Sequence, residues 1–268
     1  MAGPKRPNLQ REAGIGEPRL TVEELMPPDA ESVQSRITGF WSRTARDYEA
    51  HPGNVAVPGK QEYDAWVAAL RSALPPPPSD LLDVGAGTGF VSLIAAALGH
   101  RVTAIDLAEP MLEIARGEAA RRRLDIGFML GDAVAPPFPA ESFDALTNRH
   151  LLWTLREPTR AFANWWALLR PGARVVAIDA LDAISDEDPD TPDSNVDHSG
   201  EGLFERYYNR ETRAALPVMH LQQWAQVVEM FERAGFEDVS EHEIAAVGDA
   251  ADAPRAHVLT GFRGRSQG

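Results

Sequence analysis

The chain has 268 residues, of which 44% are hydrophobic and 25% charged, so one large domain can bury a core without disulfides or metal ions. It contains no cysteine, which excludes disulfides, thiolate metal sites and every mechanism with a cysteine nucleophile. The formal net charge of -14 repels phosphate backbones, so nucleic acid is not an expected partner.

No stretch of about 18 apolar residues occurs, and the first residues lack the apolar core of a signal peptide. We therefore expect a cytoplasmic protein with no membrane association. Residues 1–29 contain five prolines and little periodicity, which predicts a flexible leader. Residues 30–268 are expected to form a single domain.

Two amphipathic helices are predicted after the leader. In 30–49, apolar side chains that include Tyr48 recur at helical spacing. A second helix over 60–74 ends at the proline run of 75–78, because proline cannot continue a helix. Together the two helices form a predicted N-terminal cap over 30–78.

Beyond the proline run, short apolar segments rich in β-branched residues alternate with helical segments. Strands are predicted over 81–84, 101–106, 126–130, 143–147 and 174–179, and helices over 89–98, 109–123 and 158–170. This βαβ rhythm predicts a doubly wound, Rossmann-like parallel sheet with helices on both faces. The predicted core of the domain is 79–179.

The last part of the chain departs from this rhythm. Residues 180–217 interrupt it, and 179–201 hold nine acidic residues with no lysine or arginine. A helix over 220–235 and strands over 238–244 and 256–262 are predicted within the C-terminal unit 218–265. These strands lie too close together for a helical crossover, so we expect an antiparallel pair. The predicted fold is α/β, with a seven-stranded, mostly parallel sheet whose last strand is antiparallel.

A glycine-rich turn follows the first predicted strand. The sequence LLDVGAGTGF ends that strand in Asp83 and leads into Gly85, Gly87 and Gly89 before a helix. Glycines allow the tight turn and let a ligand lie against bare backbone. Phe90 stands where the dinucleotide fingerprint has its third small residue, and no P-loop motif follows. The turn alone leaves open a purely structural role or a site for another nucleotide.

Acidic residues accompany the ends of the next two strands. Asp106 closes the second strand, 17 residues after Gly89, where a carboxylate can accept hydrogen bonds from both hydroxyls of a ribose. Asp132 follows the third strand. Three acids at neighbouring strand ends suit a ligand with a ribose, an adenine amino group and positive charge. S-adenosylmethionine has these groups and no phosphate.

On these motifs, residues 80–179 resemble the class I S-adenosylmethionine-dependent methyltransferases, in the branch similar to menaquinone-biosynthesis methyltransferases. The later sequence EPTRAFANWWALLRPGARVVAID also resembles the helix, tight L-R-P-G turn and fifth strand of that family. The resemblance makes 79–179 a cofactor-binding core, with S-adenosylmethionine as cofactor. It implies contacts from Tyr48, Asp83, Gly85, Ala86, Gly87, Gly89, Asp106, Leu107, Met111, Asp132, Ala133 and Asn148.

Within that set, Asp83 and the 85–89 loop would hold the methionine part of the cofactor. Asp106 would bind the ribose. Asp132 would meet the adenine edge, and Tyr48 would approach the methionine end from the N-terminal helix.

In the family, the acceptor meets the methyl group at the end of the fourth strand, which here has the sequence NRHLLW over 148–153. His150 is the predicted catalytic base if the acceptor must lose a proton. Arg149 is a predicted anchor for a carboxylate or phenolate, and Trp153 a predicted stacking wall. The alternatives are that His150 only caps a helix and that Trp153 belongs to the core.

The interruption over 180–217 resembles the variable lid of related enzymes. His198, Tyr207 and Tyr208 are its predicted substrate residues, and the two tyrosines could wall a flat substrate or cage an amine. Its acidic residues could attract a cationic substrate or simply form a solvated loop. No H-x-x-x-H or H-E-x-x-H pattern occurs, so we expect no metal.

The expected activity is methyl transfer to a nitrogen or oxygen, and less readily to a carbon, of a small-molecule metabolite by a monomer or homodimer. The strand-four segment lacks the D/N-P-P-Y motif of enzymes that methylate base amino groups, and the chain lacks the cysteines of cytosine-ring and arsenic methyltransferases. Two alternatives stay open: another reaction type on the same fold, such as a cyclase, and a non-catalytic cofactor-binding partner protein. A nicotinamide oxidoreductase is disfavoured by Phe90.

Overall fold

The computed structural model describes residues 30–179, 202–221, 223–244 and 256–265. The predicted leader over 1–29, most of the acidic stretch and His198 lie outside the described residues. No helix within the described ranges is both long and apolar enough to cross a membrane. The predicted domain boundaries stay predictions.

The secondary structure follows the predicted alternation. The strands are β1 Asp80–Val84, β2 Arg101–Asp106, β3 Ile126–Leu130, β4 Phe143–Arg149, β5 Leu169–Asp179, β6 Phe236–Ile244 and β7 Ala256–Arg263. The helices are α1 Ala30–Ala50, α2 Gln61–Ala73, α3 Phe90–Ala97, α4 Glu109–Arg122, α5 Pro158–Leu168, α6 Leu203–Tyr207, α7 Arg210–Ala214 and α8 Trp224–Arg233. Short 3₁₀ turns lie at Pro52–Asn54, Leu152–Thr154 and Pro217–His220.

The strands form a single sheet in the order β3-β2-β1-β4-β5-β7-β6. The first five strands pair in parallel, and β7 runs antiparallel between β5 and β6. The fold predicted from the sequence is thereby confirmed. The strand order reverses between β1 and β4, and in open α/β sheets a ligand crevice lies at such a point, beyond the carboxyl ends of the strands.

Hydrophobic cores lie on both faces of the sheet. On one face, Phe162 of α5 stacks on Phe231 of α8 with ring centroids 4.1 Å apart, and both rings are fully buried. On the other face, Trp66 of α2 meets Phe90 of α3 edge to face at 5.4 Å. Phe90 is therefore a core residue, which explains a large side chain immediately after the glycine turn.

Two element boundaries differ from the predictions by more than two residues. β5 begins at Leu169, which pairs with Phe143, and the predicted L-R-P-G turn is a bulge inside this strand: Arg174 already pairs with Ala145, and Gly172 has a φ of 82°. The helix predicted over 220–235 begins at Trp224, since Pro217–His220 forms a separate 3₁₀ turn.

Candidate active site

A cleft opens at the carboxyl ends of β1, β2 and β4, and α1 covers it as a roof. The glycine turn after β1 and the residues that follow β2 and β3 line one half. Side chains of α1 and of the segment that follows β4 line the other half. We call these halves the cofactor end and the acceptor end.

The glycine turn forms the floor of the cofactor end. Gly85, Gly87 and Gly89 have φ values of 64°, 55° and 89°, a region that L-residues with side chains rarely adopt. A Cβ built on Gly87 would meet no atom within 4 Å, so the cleft lies open directly above this backbone. A Cβ on Gly89 would lie 3.1 Å from the Cβ of Ala115. Gly89 therefore serves the packing of α3 against α4.

Asp106 lies in the cleft at the end of β2, beside the glycine turn. Its Oδ2 accepts the N–H of Gly87 at 2.9 Å and its Oδ1 accepts the N–H of Ala108 at 2.8 Å. Burial raises the pKa of Asp106, and the backbone hydrogen bonds act in the opposite direction. Each oxygen keeps a further lone pair, so the oriented carboxylate can still accept two ribose hydroxyls.

Beyond Asp106 the cleft has an apolar part with one polar edge, which we call the apolar slot. Leu107, Met111 and Ala133 line it. Asp132 stands at its edge, where Oδ1 accepts the N–H of Val134 at 2.8 Å.

Three predicted cofactor residues, besides Gly89, do not line the cleft. Asp83 lies behind the glycine turn, where its carboxylate accepts hydrogen bonds from the hydroxyls of Ser92 and Thr147. Burial raises the pKa of Asp83 to about 6. Ala86 bonds through its N–H to the carbonyl of Ile105 at 3.0 Å. These two residues therefore shape the turn from behind, in place of the predicted direct contact.

Asn148 is the third of these residues. It is fully buried in β4, and within the described ranges neither Nδ2 nor Oδ1 has a hydrogen-bond partner. Its predicted contact with the cofactor stays a prediction.

His150 lines the acceptor end, as predicted. Its backbone has a φ of 54°, and its N–H donates to the carbonyl of Ile178 at 2.9 Å, which fixes the turn after β4. Burial, followed by the nearby charge of Arg149, lowers the pKa of His150 to about 3. The ring is therefore neutral at physiological pH.

Arg149 is held firmly between three groups. Its guanidinium carbon lies 4.0 Å from the ring centroid of Phe90 and 5.6 Å from that of Trp66. Its Nη2 donates to the carbonyl of Gly53 at 2.8 Å, so the side chain ties the connection after α1 to the sheet. Burial lowers the pKa of Arg149. The buried Nε has no hydrogen-bond partner among the described residues. Arg149 is also one of the residues that line the cleft.

Tyr48 also lines the cleft, and its predicted contact with the cofactor stays a prediction. Its ring meets Trp41 edge to face at 5.6 Å. Burial raises the pKa of its hydroxyl, which therefore stays protonated and can donate a hydrogen bond at physiological pH. The side chain of Asn54 donates to the Tyr48 carbonyl at 3.1 Å and so fixes the end of α1.

The predicted substrate wall of Trp153, Tyr207 and Tyr208 is not found in the cleft. Tyr208 is fully buried, stacks on Phe204 at 4.7 Å and accepts the indole N–H of Trp41 at 3.0 Å. Burial raises the pKa of Tyr208. Trp153 packs on the Tyr208 ring at 5.3 Å.

Tyr207 covers Gly39 on α1, where an added Cβ would lie 2.9 Å from its ring. The structure thus corrects the prediction of a substrate wall or amine cage. These aromatic residues support the roof from behind, and Trp41 is the side chain of this group that reaches the cleft.

Several residues that line the cleft escaped the sequence analysis. They are Gln34, Ile37, Thr38 and Trp41 of α1 and Leu151, Thr154, Leu155 and Arg156 of the segment after β4. The helical spacing of apolar residues in 30–49 places Ile37 and Trp41 on the same face as Tyr48, but this spacing does not distinguish a cleft residue from a core residue. No pattern distinguished Arg156 from the other arginines.

Within the described ranges, no group of three or more acidic or histidine side chains could hold a metal ion. The expectation of a metal-free site stays a prediction.

Known proteins share this architecture and sequence. Residues 82–177 match the methyltransferase domain family. A demethylmenaquinone methyltransferase from Roseiflexus sp. (strain RS-1) is 32% identical over 162 residues, which cover 60% of this chain and 66% of that protein. The chain belongs to the class I S-adenosylmethionine-dependent methyltransferases. It covers only 40% to 66% of the length of five demethylmenaquinone methyltransferases that it matches.

Solved structures support the fold of this methyltransferase. The [4+2]-cyclase SpnF has a TM-score of 0.60 at 18% identity, with 88% of this chain and 97% of that chain covered. A phosphoethanolamine N-methyltransferase from Haemonchus contortus, in complex with S-adenosyl-L-methionine, has a TM-score of 0.57 at 17% identity, with 84% and 57% covered.

The cofactor of the family is S-adenosylmethionine, and the cleft fits it. The open space above Gly87 would accommodate its methionine part. The oriented carboxylate of Asp106 would accept the ribose hydroxyls, and the apolar slot edged by Asp132 would take the adenine.

Proposed function

We propose that this chain transfers a methyl group from S-adenosylmethionine to an oxygen, a nitrogen or an acidic carbon of a small-molecule metabolite. The observation that carries this proposal is the single cleft itself. It joins the glycine turn, Asp106 and Asp132 at one end to His150, Arg149 and Tyr48 at the other. Cofactor and acceptor would therefore meet under the same roof.

At the cofactor end, each group has a separate task. Asp106 accepts hydrogen bonds from the ribose, and Asp132 accepts one from the adenine amino group. The bare backbone of Gly87 lets the ligand approach closely. When bound, the cofactor supplies an electrophilic methyl group on a sulfonium.

The main contribution of the acceptor end is orientation. Methyl transfer needs the nucleophile in line with the methyl group, and such alignment can supply about 7–11 kcal/mol of the barrier. Trp41 and the aromatic residues behind it keep α1 over the cleft and exclude water. His150 and the Tyr48 hydroxyl provide neutral hydrogen-bonding groups beside the reacting atoms.

The charges at the cleft favour an oxygen acceptor over a protonated amine. Arg149 and Arg156 line the cleft, and the charge of Arg149 acts on His150 at the acceptor end, whereas the carboxylates of Asp106 and Asp132 lie at the cofactor end. At the acceptor end the two arginines repel an ammonium group but stabilise the negative charge of an acidic hydroxyl that has lost its proton. The predicted amine cage of Tyr207 and Tyr208 would have favoured an amine acceptor, but Tyr208 is fully buried and cannot contribute to it.

His150 is then a hydrogen-bonding and orienting group rather than a strong base. A general base works best with a pKa near the operating pH, whereas the pKa of His150 is lowered to about 3. Alignment would therefore supply most of the rate enhancement, and an acidic acceptor would enter the cleft as its anion, after losing its proton to bulk water.

The test is a screen of phenols, enols, keto acids and amines with S-adenosylmethionine. Mass spectrometry would follow both the methylated product and S-adenosylhomocysteine. We expect methylation of an acidic hydroxyl by the wild type and none by Asp106→Ala, with Asp125→Ala as a control because Asp125 is exposed and lies away from the cleft. Conversion of an acceptor without any S-adenosylhomocysteine would instead establish another reaction type on this fold.

A further inference from the structure

Arg156 occupies an unusual place at the edge of the cleft, where it contacts both the floor and the roof. Its Nε donates to the side-chain Oε1 of Gln34 on α1 at 2.6 Å. Its Nη2 lies 3.8 Å from Oδ2 of Asp132, the residue at the adenine edge. The Arg156 side chain is only 13% exposed, whereas that of Asp132 is 36% exposed. Nη1 of Arg156 also lies 3.9 Å from Oε1 of Glu157.

On the roof side, the contact with Gln34 extends along α1. The amide nitrogen of Gln34 donates to the hydroxyl of Thr38, one turn later, at 3.3 Å. Both side chains line the cleft. Arg156 therefore holds the first turns of the roof, whereas Arg149 holds the opposite end of α1 through the carbonyl of Gly53.

On the floor side, the two oxygens of Asp132 have different tasks. Oδ1 is committed to the N–H of Val134, and Oδ2 is the oxygen that pairs with Arg156. The distance of 3.8 Å is that of an ion pair and exceeds that of a hydrogen bond. Oδ2 therefore has room for a ligand N–H donor while it stays close to the guanidinium.

From this geometry we propose that Arg156 is a positioning residue that couples the occupancy of the adenine edge to the seating of α1. A donor that binds Asp132 fixes the carboxylate, the carboxylate fixes the guanidinium, and the guanidinium fixes Gln34 and the roof above the acceptor end. Because such coupling is reciprocal, a seated α1 also strengthens cofactor binding. This inference rests on the proposed function, since it requires an adenine-containing ligand in the cleft.

The test uses S-adenosylhomocysteine, which needs no acceptor. Calorimetry gives its affinity, and hydrogen–deuterium exchange with mass spectrometry reports on α1 and on the 85–89 loop separately. In the wild type, the ligand should slow exchange in both segments. In Arg156→Gln it should slow exchange in the loop but not in α1, and the affinity should fall about fivefold or more.

Two further variants separate coupling from loss of structure. Gln34→Ala leaves Arg156 and Asp132 intact but cuts the link to α1, so it should lose the same protection. Arg233→Gln removes an exposed arginine of α8 that pairs with Glu229, and it should behave as the wild type does. Thermal denaturation of each variant without ligand checks the fold.

The outcomes distinguish this inference from the proposed function. Equal protection of α1 in the wild type, Arg156→Gln and Gln34→Ala would overturn the coupling and leave the cofactor site intact. Failure of the wild type to bind the ligand at all would overturn the proposed function itself.

Discussion

At the cofactor end of the cleft, backbone geometry and short-range hydrogen bonds define the site, whereas the acceptor end is assembled from side chains that are distant in sequence. The turn at Gly87 and the carboxylate of Asp106 lie within one βαβ unit and are joined by a 2.9 Å hydrogen bond. The contact between Trp41 and Tyr208 spans 167 residues. The cofactor end is thus a local and rigid feature, while the acceptor end depends on how α1 and α6 pack.

Because the cofactor end depends on backbone geometry, we expect the largest effect from a substitution in the glycine turn. Gly85→Ala places a Cβ 2.6 Å from Leu151 at a φ of 64°. We expect the free energy of unfolding to fall by about 2 to 4 kcal/mol. Cofactor binding should be lost as well, because the turn forms the floor of the cofactor end.

Gly59→Ala is a matched control, because Gly59 has a φ of 88° but open space around it. It should cost only about 1 kcal/mol, the strain of a positive φ. Urea denaturation compares the two variants. Equal losses would show that the fit of the turn against Leu151 is unimportant.

The second effect concerns Asp83, which supports the turn from behind. Burial raises its pKa to about 6, so the folded state binds a proton more readily than the unfolded chain. Asp83 therefore stabilises the fold least at neutral pH, and its contribution declines as the pH rises from about 4 to about 6.

Asp83→Asn removes this titration. The free energy of unfolding of the wild type relative to Asp83→Asn should fall by about 2.4 kcal/mol between pH 4 and pH 7. Urea denaturation at several pH values measures this difference. A difference that stays constant or rises with pH contradicts the buried, protonatable carboxyl.

A smaller effect is expected where the roof is held. Tyr208→Phe removes the acceptor of the Trp41 indole N–H and should cost about 1 kcal/mol in the free energy of unfolding. The hydroxyl of Tyr207 has no hydrogen bond within the described part of the chain, so Tyr207→Phe should change stability by less than about 0.5 kcal/mol. Denaturation curves that rank the two variants in the opposite order would refute this account of the roof.

The smallest effect is expected when His150 is substituted and the affinity for S-adenosylhomocysteine is measured. With its pKa lowered to about 3, the ring carries no charge at neutral pH. His150→Gln should therefore change that affinity by less than about twofold. Calorimetry between pH 5 and pH 8 provides the check. An affinity step near pH 6.5 that the wild type has and the variant lacks would contradict the neutral ring.

The fold and the cofactor end were predictable because their signals are local. Apolar runs mark the strands, and the spacing from Gly89 to Asp106 reflects one crossover of fixed length. The tight L-R-P-G turn was predictable as well, since Gly172 adopts a φ of 82°, but the start of β5 at Leu169 was not, because it depends on the pairing with Phe143, which local sequence does not encode.

The acceptor end was less predictable for the same physical reason. Tyr208 is an aromatic residue of the kind that can form the wall of a substrate site, but it is buried where the end of α6 packs on α1. The position of Arg156 between Gln34 and Asp132 could not be predicted, because these two residues are distant in sequence and only the fold brings them to either side of it. Asp83 has the sequence position of a ligand residue, but the hydroxyls of Ser92 and Thr147 turn it away from the cleft.

The most direct test of the cofactor site is a calorimetric titration with S-adenosylmethionine and S-adenosylhomocysteine of the wild type, Asp106→Ala and Asp125→Ala. The account predicts micromolar-range binding by the wild type and Asp125→Ala, and its loss in Asp106→Ala. Absence of binding by the wild type, or undiminished binding by Asp106→Ala, would contradict it.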